Sequence, residues 1–217
     1  MSNWEIVKQH CDAHQAALVA VSKTRTIAEV MALYQKGQRI FGENRVQELL
    51  EKAPNLPDDI EWHLIGHLQT NKVKQILPKI SCIHSLESIR LMEEIETQAA
   101  KLNKVISVLA QVHVAAEETK FGLSMLALTE LLDRYTQGSF KHIKLIGIMG
   151  MASFTDNHDQ IRAEFKSIQE IFQYVKNGYF IHQAFFKEIS MGMSGDYLIA
   201  LEEGSTMVRV GSLLFEK

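Results

Sequence analysis

AALVAVSKTRTIAEVMALYQKG, residues 16–37, carries the pattern on which the fold turns. Its small and β-branched apolar residues, AALVAV, read as a buried strand. That strand runs into Ser22, Lys23 and Thr24. Thr26 and Glu29 then stand at capping-box spacing, and Ile27, Val30, Met31 and Tyr34 recur at a helical period. Gly37 has the position of a C′ residue. Strand, polar turn and helix make one βα unit, and the unit leaves a lysine where its strand stops.

The unit recurs. Ser2 and Glu5 open an extra helix at the start, striped by Trp4, Val7 and Cys11. RIFGEN, EWHLIG, ISCIHS, VISVLAQVHV, IKLIGIMGM, FKEISMGM and MVRVGS are the further strand candidates. Between them, VQELLEKA, TNKVKQIL, SIRLMEEIETQAAKLN, SMLALTELLDRYTQ, HDQIRAEFKSIQEIFQYVKN and DYLIALEE read as helices. Ser85 is the expected N-cap of the third of these, and Gly138, Gly178 and Gly204 are the expected ends of the last three. Eight strands thus alternate with helices, each strand but the last being followed by one. Parallel neighbours need crossover helices, so the alternation predicts an α/β fold with a parallel sheet. Eight repeats favour closure into a (β/α)8 barrel. At 217 residues the chain is short for that fold, which typically takes about 250, so loops must be brief. Three prolines agree with little irregular structure, and a single domain over 1–217 is expected.

Bulk properties narrow the function classes. A net charge of −3 with scattered basic residues gives no stripe for a nucleic-acid backbone. No window approaches the roughly 18 apolar residues of a membrane span, and MSNWEIVKQH lacks the character of a secretory signal. Cys11 and Cys82 form no C-x-x-C pair and no disulfide framework. A protein of the reducing cytoplasm is expected.

In a barrel of this kind working groups lie at the carboxyl ends of the strands. Lys23, Asn44, His63, His84, Ser190 to Ser194 and Arg209 to Ser212 fall at or near such ends. Gly211 lets backbone approach an anion, Ser212 adds a hydroxyl and an amide, and phosphate sites after strands seven and eight are frequent. Ser194 and Gly195 fall at an expected helix start, where free N–H groups favour a phosphate, although plain N-capping explains Ser194 as well. Arg209 shares a strand face with Gly211, and a buried arginine there needs a partner, which a ligand would supply. His63 and His67 stand four apart without the glutamate of H-E-x-x-H, so a structural role is expected and no metal. His84 either faces a ligand or bonds backbone. GMSGD lacks the final glycine of the G-x-S-x-G elbow, and no histidine follows His182, which removes the hydrolase order.

AVSKTR, FGENRVQE, WHLIGHLQTNK, HSLES and SMGMSGDYLIALEEGSTMVRVGSLLF together resemble the YggS/PROSC family of pyridoxal 5′-phosphate homeostasis proteins, over nearly the whole chain. The resemblance implies a fold type III barrel, similar to the amino-terminal domain of alanine racemases. It implies that Lys23 holds pyridoxal 5′-phosphate (PLP) as a Schiff base, and that Ser194, Gly211 and Ser212 hold the phosphate. Arg209 would sit beside the pyridine nitrogen and Asn44 near the cofactor's hydroxyl side. A partly desolvated lysine at a barrel mouth would offer a neutral amine as nucleophile. GIMGMASF departs from the family's strand-six segment, so no role is carried onto it. The implied function is cofactor buffering or carriage, without an enzyme activity, with PLP-dependent apoenzymes as recipients and a monomer as the expected state. The rival reading is an amino-acid racemase. That chemistry needs a second acid or base, a tyrosine from a separate β domain in the resembling racemases, and no such domain is expected after the eighth strand.

Overall fold

The computed structural model describes residues 1–115 and 121–215, so part of the span expected for the domain, 116–120 and 216–217, lies outside the described residues. Eight parallel strands close into a barrel in chain order. They are β1 (Ala17–Val21), β2 (Ile40–Glu43), β3 (Glu61–Leu64), β4 (Cys82–Leu86), β5 (Ile106–Gln111), β6 (Ile143–Met149), β7 (Glu188–Ser190) and β8 (Met207–Val210). The wall outside them consists of α1 (Asn3–Ala13), α2 (Ile27–Gln35), α3 (Val46–Lys52), α4 (Val73–Ile76), α5 (Ile89–Lys101), α6 (Met125–Gln137), α7 (His158–Tyr179), α8 (Tyr197–Glu202) and α9 (Ser212–Phe215). The barrel class read from the alternation is therefore correct.

Local chemistry starts the elements as their residue types dictate. At α2 the Thr26 hydroxyl accepts from the Glu29 N–H at 3.2 Å, and Glu29 Oε2 accepts the Thr26 N–H at 2.7 Å. That reciprocal pair satisfies two otherwise orphaned donors. At α1 the Glu5 carboxylate accepts the Ser2 N–H at 2.6 Å. Gly204, at φ +87, closes α8 as expected.

Some boundaries differ. Ser85 is not a cap: it lies within β4 and donates its hydroxyl to the Gly66 carbonyl at 2.6 Å. Ser88 caps α5 instead, accepting from the Leu91 N–H at 3.2 Å. Gly178 does not end α7, which runs through it to Tyr179. TNKVKQIL forms a 3₁₀ turn, Thr70–Lys72, before the single turn of α4. The eighth strand does have a following helix, the short α9.

Two apolar shells hold the barrel together. The larger lies between strands and helices, where Phe41, Leu49, Phe165 and Phe186 are fully buried. A smaller cluster of Cys82, Leu109, Met149 and Met207 fills part of the barrel itself. Gly147 permits β6 and β7 to pair, since a Cβ there would lie 1.8 Å from the Glu188 carbonyl oxygen. α1 lies at the seam between β8 and β1: it packs beside α9, and His10 Nδ1 is 2.9 Å from the Tyr197 hydroxyl. Among the described residues, no helix is long and apolar enough to cross a membrane.

Candidate functional site

Four neighbouring strands, β7, β8, β1 and β2, bring the expected residues to one arc of the barrel mouth. Ala20 of β1 pairs with Val210 of β8, and Val21 pairs with Gly42 of β2. Lys23 and Gly211 therefore emerge side by side from opposite ends of the chain, with Asn44 next around the rim. A Cβ on Gly211 would lie 3.2 Å from Val21 Cβ and 3.3 Å from the Val21 carbonyl oxygen, so glycine lets the two strand ends lie close. The Gly211 N–H donates to the Ser194 hydroxyl at 3.1 Å, which joins the turn after β7 to the end of β8. Ser212 opens α9, exposed. Asn44 is exposed too, and lies over Gly66, where a Cβ would come within 2.4 Å of Asn44 Oδ1.

Two expectations need correction. Ser194 does not start a helix: α8 begins at Tyr197 with Asp196 as its N-cap, so Ser194 belongs to the preceding turn. Its orientation comes from the Gly211 amide rather than from a helix dipole. Lys23 is exposed rather than partly desolvated, because the turn that carries it stands above the strand end.

That turn is clamped from outside the barrel. Lys52 of α3 donates to the Ser22 carbonyl at 2.7 Å, to Glu43 Oε1 at 2.8 Å and to Glu48 Oε2 at 3.1 Å. The Ser22 hydroxyl donates to Glu43 Oε1 at 2.7 Å, and the Thr24 N–H donates to Glu48 Oε2 at 2.7 Å. Both chain neighbours of Lys23 are thus tied to α3, and Thr24 is held at φ +62, a conformation uncommon for threonine. Burial pushes the Glu43 carboxyl up, against the lowering effect of its bonds to Lys52 and Ser22. Its Oε2 is buried without a hydrogen-bond partner. Reading FGENRVQELLEK only as strand and helix misses this clamp; the Glu48–Lys52 spacing of four was its one sequence signal.

Below the mouth, four buried residues form a line across the barrel. Arg209 Nη1 donates to the Ser190 hydroxyl at 2.6 Å, and Nη2 donates to the Gly150 carbonyl at 3.1 Å. Ser190 Oγ is 2.9 Å from His84 Nδ1, and His84 Nε2 is 2.9 Å from His63 Nδ1. Burial pulls Arg209 down to about 10, with the Asp196 charge opposing, so the guanidinium remains a cation at neutral pH. Burial likewise pulls His63 down to about 4. It holds His84 well below the ordinary histidine range, with the charges of His63 and Arg209 adding to the effect.

His84 therefore bonds a side chain and another histidine, not backbone. His63 and His67 part company: His67 is at the rim, paired with Glu87 and stacked on Phe121 with ring centroids 5.0 Å apart. A cluster that the sequence reading missed is His63, Cys82 and His84, whose ligand atoms lie within 4.8 Å of one another. Burial pushes the Cys82 thiol well up, which disfavours the thiolate that a metal would need. The facing nitrogens of the two histidines are already engaged with each other.

The family described as alanine racemase, N-terminal domain, matches residues 1–216. The chain is 41% identical over 201 residues to the pyridoxal phosphate homeostasis protein of Aquifex aeolicus, covering 92% of this chain and 86% of that protein. The chain belongs to the pyridoxal phosphate homeostasis protein family. PipY of Synechococcus elongatus has been solved with PLP bound, and resembles this chain at 32% identity and a TM-score of 0.85, covering 93% of each chain. Alanine racemase of Streptomyces coelicolor shares the fold at a TM-score of 0.80, with 17% identity over 98% of this chain and 56% of the racemase. At that identity the racemase likeness concerns the fold alone.

Proposed function

We propose that this protein binds PLP reversibly at the carboxyl end of its barrel and serves cofactor homeostasis, buffering or carrying PLP in the cytoplasm for PLP-dependent apoenzymes. The observation that carries the reading is the arc of Lys23, Gly211 and Ser194, backed by the buried Arg209 cation. Support comes from the family and from a relative with PLP bound. The donor set fits the cofactor: a primary amine, two hydroxyls, a glycine amide where a side chain would crowd Val21, and one fixed cation.

Bound, the cofactor supplies an aldehyde that condenses reversibly with primary amines. Lys23 provides such an amine on a turn clamped at Ser22 and Thr24. Its exposure lets water and incoming amines reach Nζ, which suits loading and release. Ser194, the Gly211 N–H and Ser212 would hold the phosphate, and Asn44 the hydroxyl side. Arg209, a cation held by Ser190 and Gly150, would face the ring nitrogen and disfavour its protonation, weakening an electron sink.

A carrier rather than a racemase fits these groups. The chain's tyrosines, 34, 135, 174, 179 and 197, all lie in helices, and Tyr197 is buried with its hydroxyl beside His10. None stands at a strand end as a second acid or base. We read the protein as a monomer. The purified protein mixed with PLP should be yellow, and Lys23→Ala should abolish the band. A colourless PLP-loaded protein refutes the assignment, and steady racemisation of ordinary amino acids refutes the carrier role.

A further inference from the structure

The line Arg209–Ser190–His84–His63 joins β8, β7, β4 and β3, and each of its members is at most 4% exposed. Its hydrogens can be placed by elimination. A guanidinium only donates, so the Ser190 oxygen accepts from Arg209. The serine has one hydrogen, and His84 Nδ1 is the acceptor that the line offers it. His84 then carries its proton on Nε2 and gives it to His63 Nδ1, which leaves the His63 proton on Nε2 as well. The opposite order would have His84 donate to Ser190. The serine would then accept twice, and its own buried hydrogen would find no partner along the line, which costs more than the bond it forgoes. Protonating either histidine would replace an acceptor by a donor and set a second cation beside Arg209 in a dry interior.

We propose that Ser190, His84 and His63 are positioning residues for Arg209: a one-directional, uncharged relay that fixes the guanidinium in one orientation and one charge state beneath the mouth. This rests on the reading that Arg209 faces the cofactor ring. Every acceptor in the line points back toward Arg209, so successive dipoles reinforce the cation at its head. Neutral histidines also add no second cation beside Arg209. The Gly150 carbonyl supplies the second fixed contact to the guanidinium.

Two measurements test it. The first needs no cofactor: long-range proton–nitrogen correlation spectra of the histidine-labelled protein near pH ~6, assigned with His63→Gln and His84→Gln. Both rings should be neutral Nε2–H tautomers, and an Nδ1–H tautomer or a charged ring in either overturns the relay. The second is the PLP absorption band of Ser190→Ala beside the wild type. The variant should bind with its band shifted and its affinity reduced on the order of tenfold, one charge-assisted hydrogen bond having been lost. An unchanged band and affinity would overturn the positioning role. Failure of the wild type to bind PLP would instead sink the proposed function, and the nitrogen spectra would still decide the relay.

Discussion

The Gly211 amide donates to the Ser194 hydroxyl across 3.1 Å, so the two phosphate candidates are already in contact. A ligand phosphate would draw on both at once. Ser194→Ala removes one donor to the anion and leaves the Gly211 amide without its partner. A hydrogen bond to a charged group contributes about 1.5–3 kcal/mol, so PLP affinity should fall on the order of ten- to a hundredfold. Equilibrium titration reads it, and an unchanged affinity would remove Ser194 from the site.

Lys52 reaches a carboxylate, a carbonyl and a second carboxylate from a nearly buried position. Lys52→Met leaves Glu43 buried beside an uncovered carbonyl, and should lower stability by about 3 kcal/mol. Because burial raises the Glu43 carboxyl, its contribution is present at low pH and is lost as pH rises through its folded value. The deficit of the variant should therefore shrink as pH falls. Urea unfolding at several pH values checks both sign and size.

His63 behaves in the opposite sense. Its folded value of about 4 lies below the unfolded value of about 6.5. The stability it contributes is complete above the unfolded value and is lost as pH falls through the folded one, at most roughly 3 kcal/mol. His63→Gln should flatten the pH dependence of unfolding just below the histidine range, before the carboxylates titrate. An equally steep profile in the variant would contradict a neutral buried ring.

Gly147→Ala would set a methyl 1.8 Å from the Glu188 carbonyl oxygen. Both partners are backbone in paired strands, so β6 and β7 must separate. We expect a loss of about 3 kcal/mol or failure to fold, read by chemical denaturation. A variant as stable as the wild type would mean that the two strands can part freely.

The barrel was legible because its signals are local. Thr26 and Glu29 cap α2 within four residues, and apolar runs mark strands without reference to partners. The strand-end lysine, asparagine, serine and glycine followed from the same alternation. Ser85 was misread because Ser85 and Ser88 both precede an apolar stripe, and only pairing with Gly66 shows which one belongs to the strand. The interior line was out of reach for another reason. His84 and Ser190 are 106 residues apart, and their meeting is a property of barrel closure that no spacing records. The exposure of Lys23 likewise depends on α3, whose Lys52 and Glu48 grip the residues on either side of it.

Pairing of the first strand with the last has a consequence for synthesis. The amine side of the proposed site leaves the ribosome with the first strand, whereas Arg209, Gly211 and Ser212 follow only with the eighth. A nascent chain would thus carry a reactive amine with nothing to grip the phosphate, and only a chain made through β8 and Ser212 could sequester the aldehyde. Loading with cofactor would report that synthesis has passed the eighth strand.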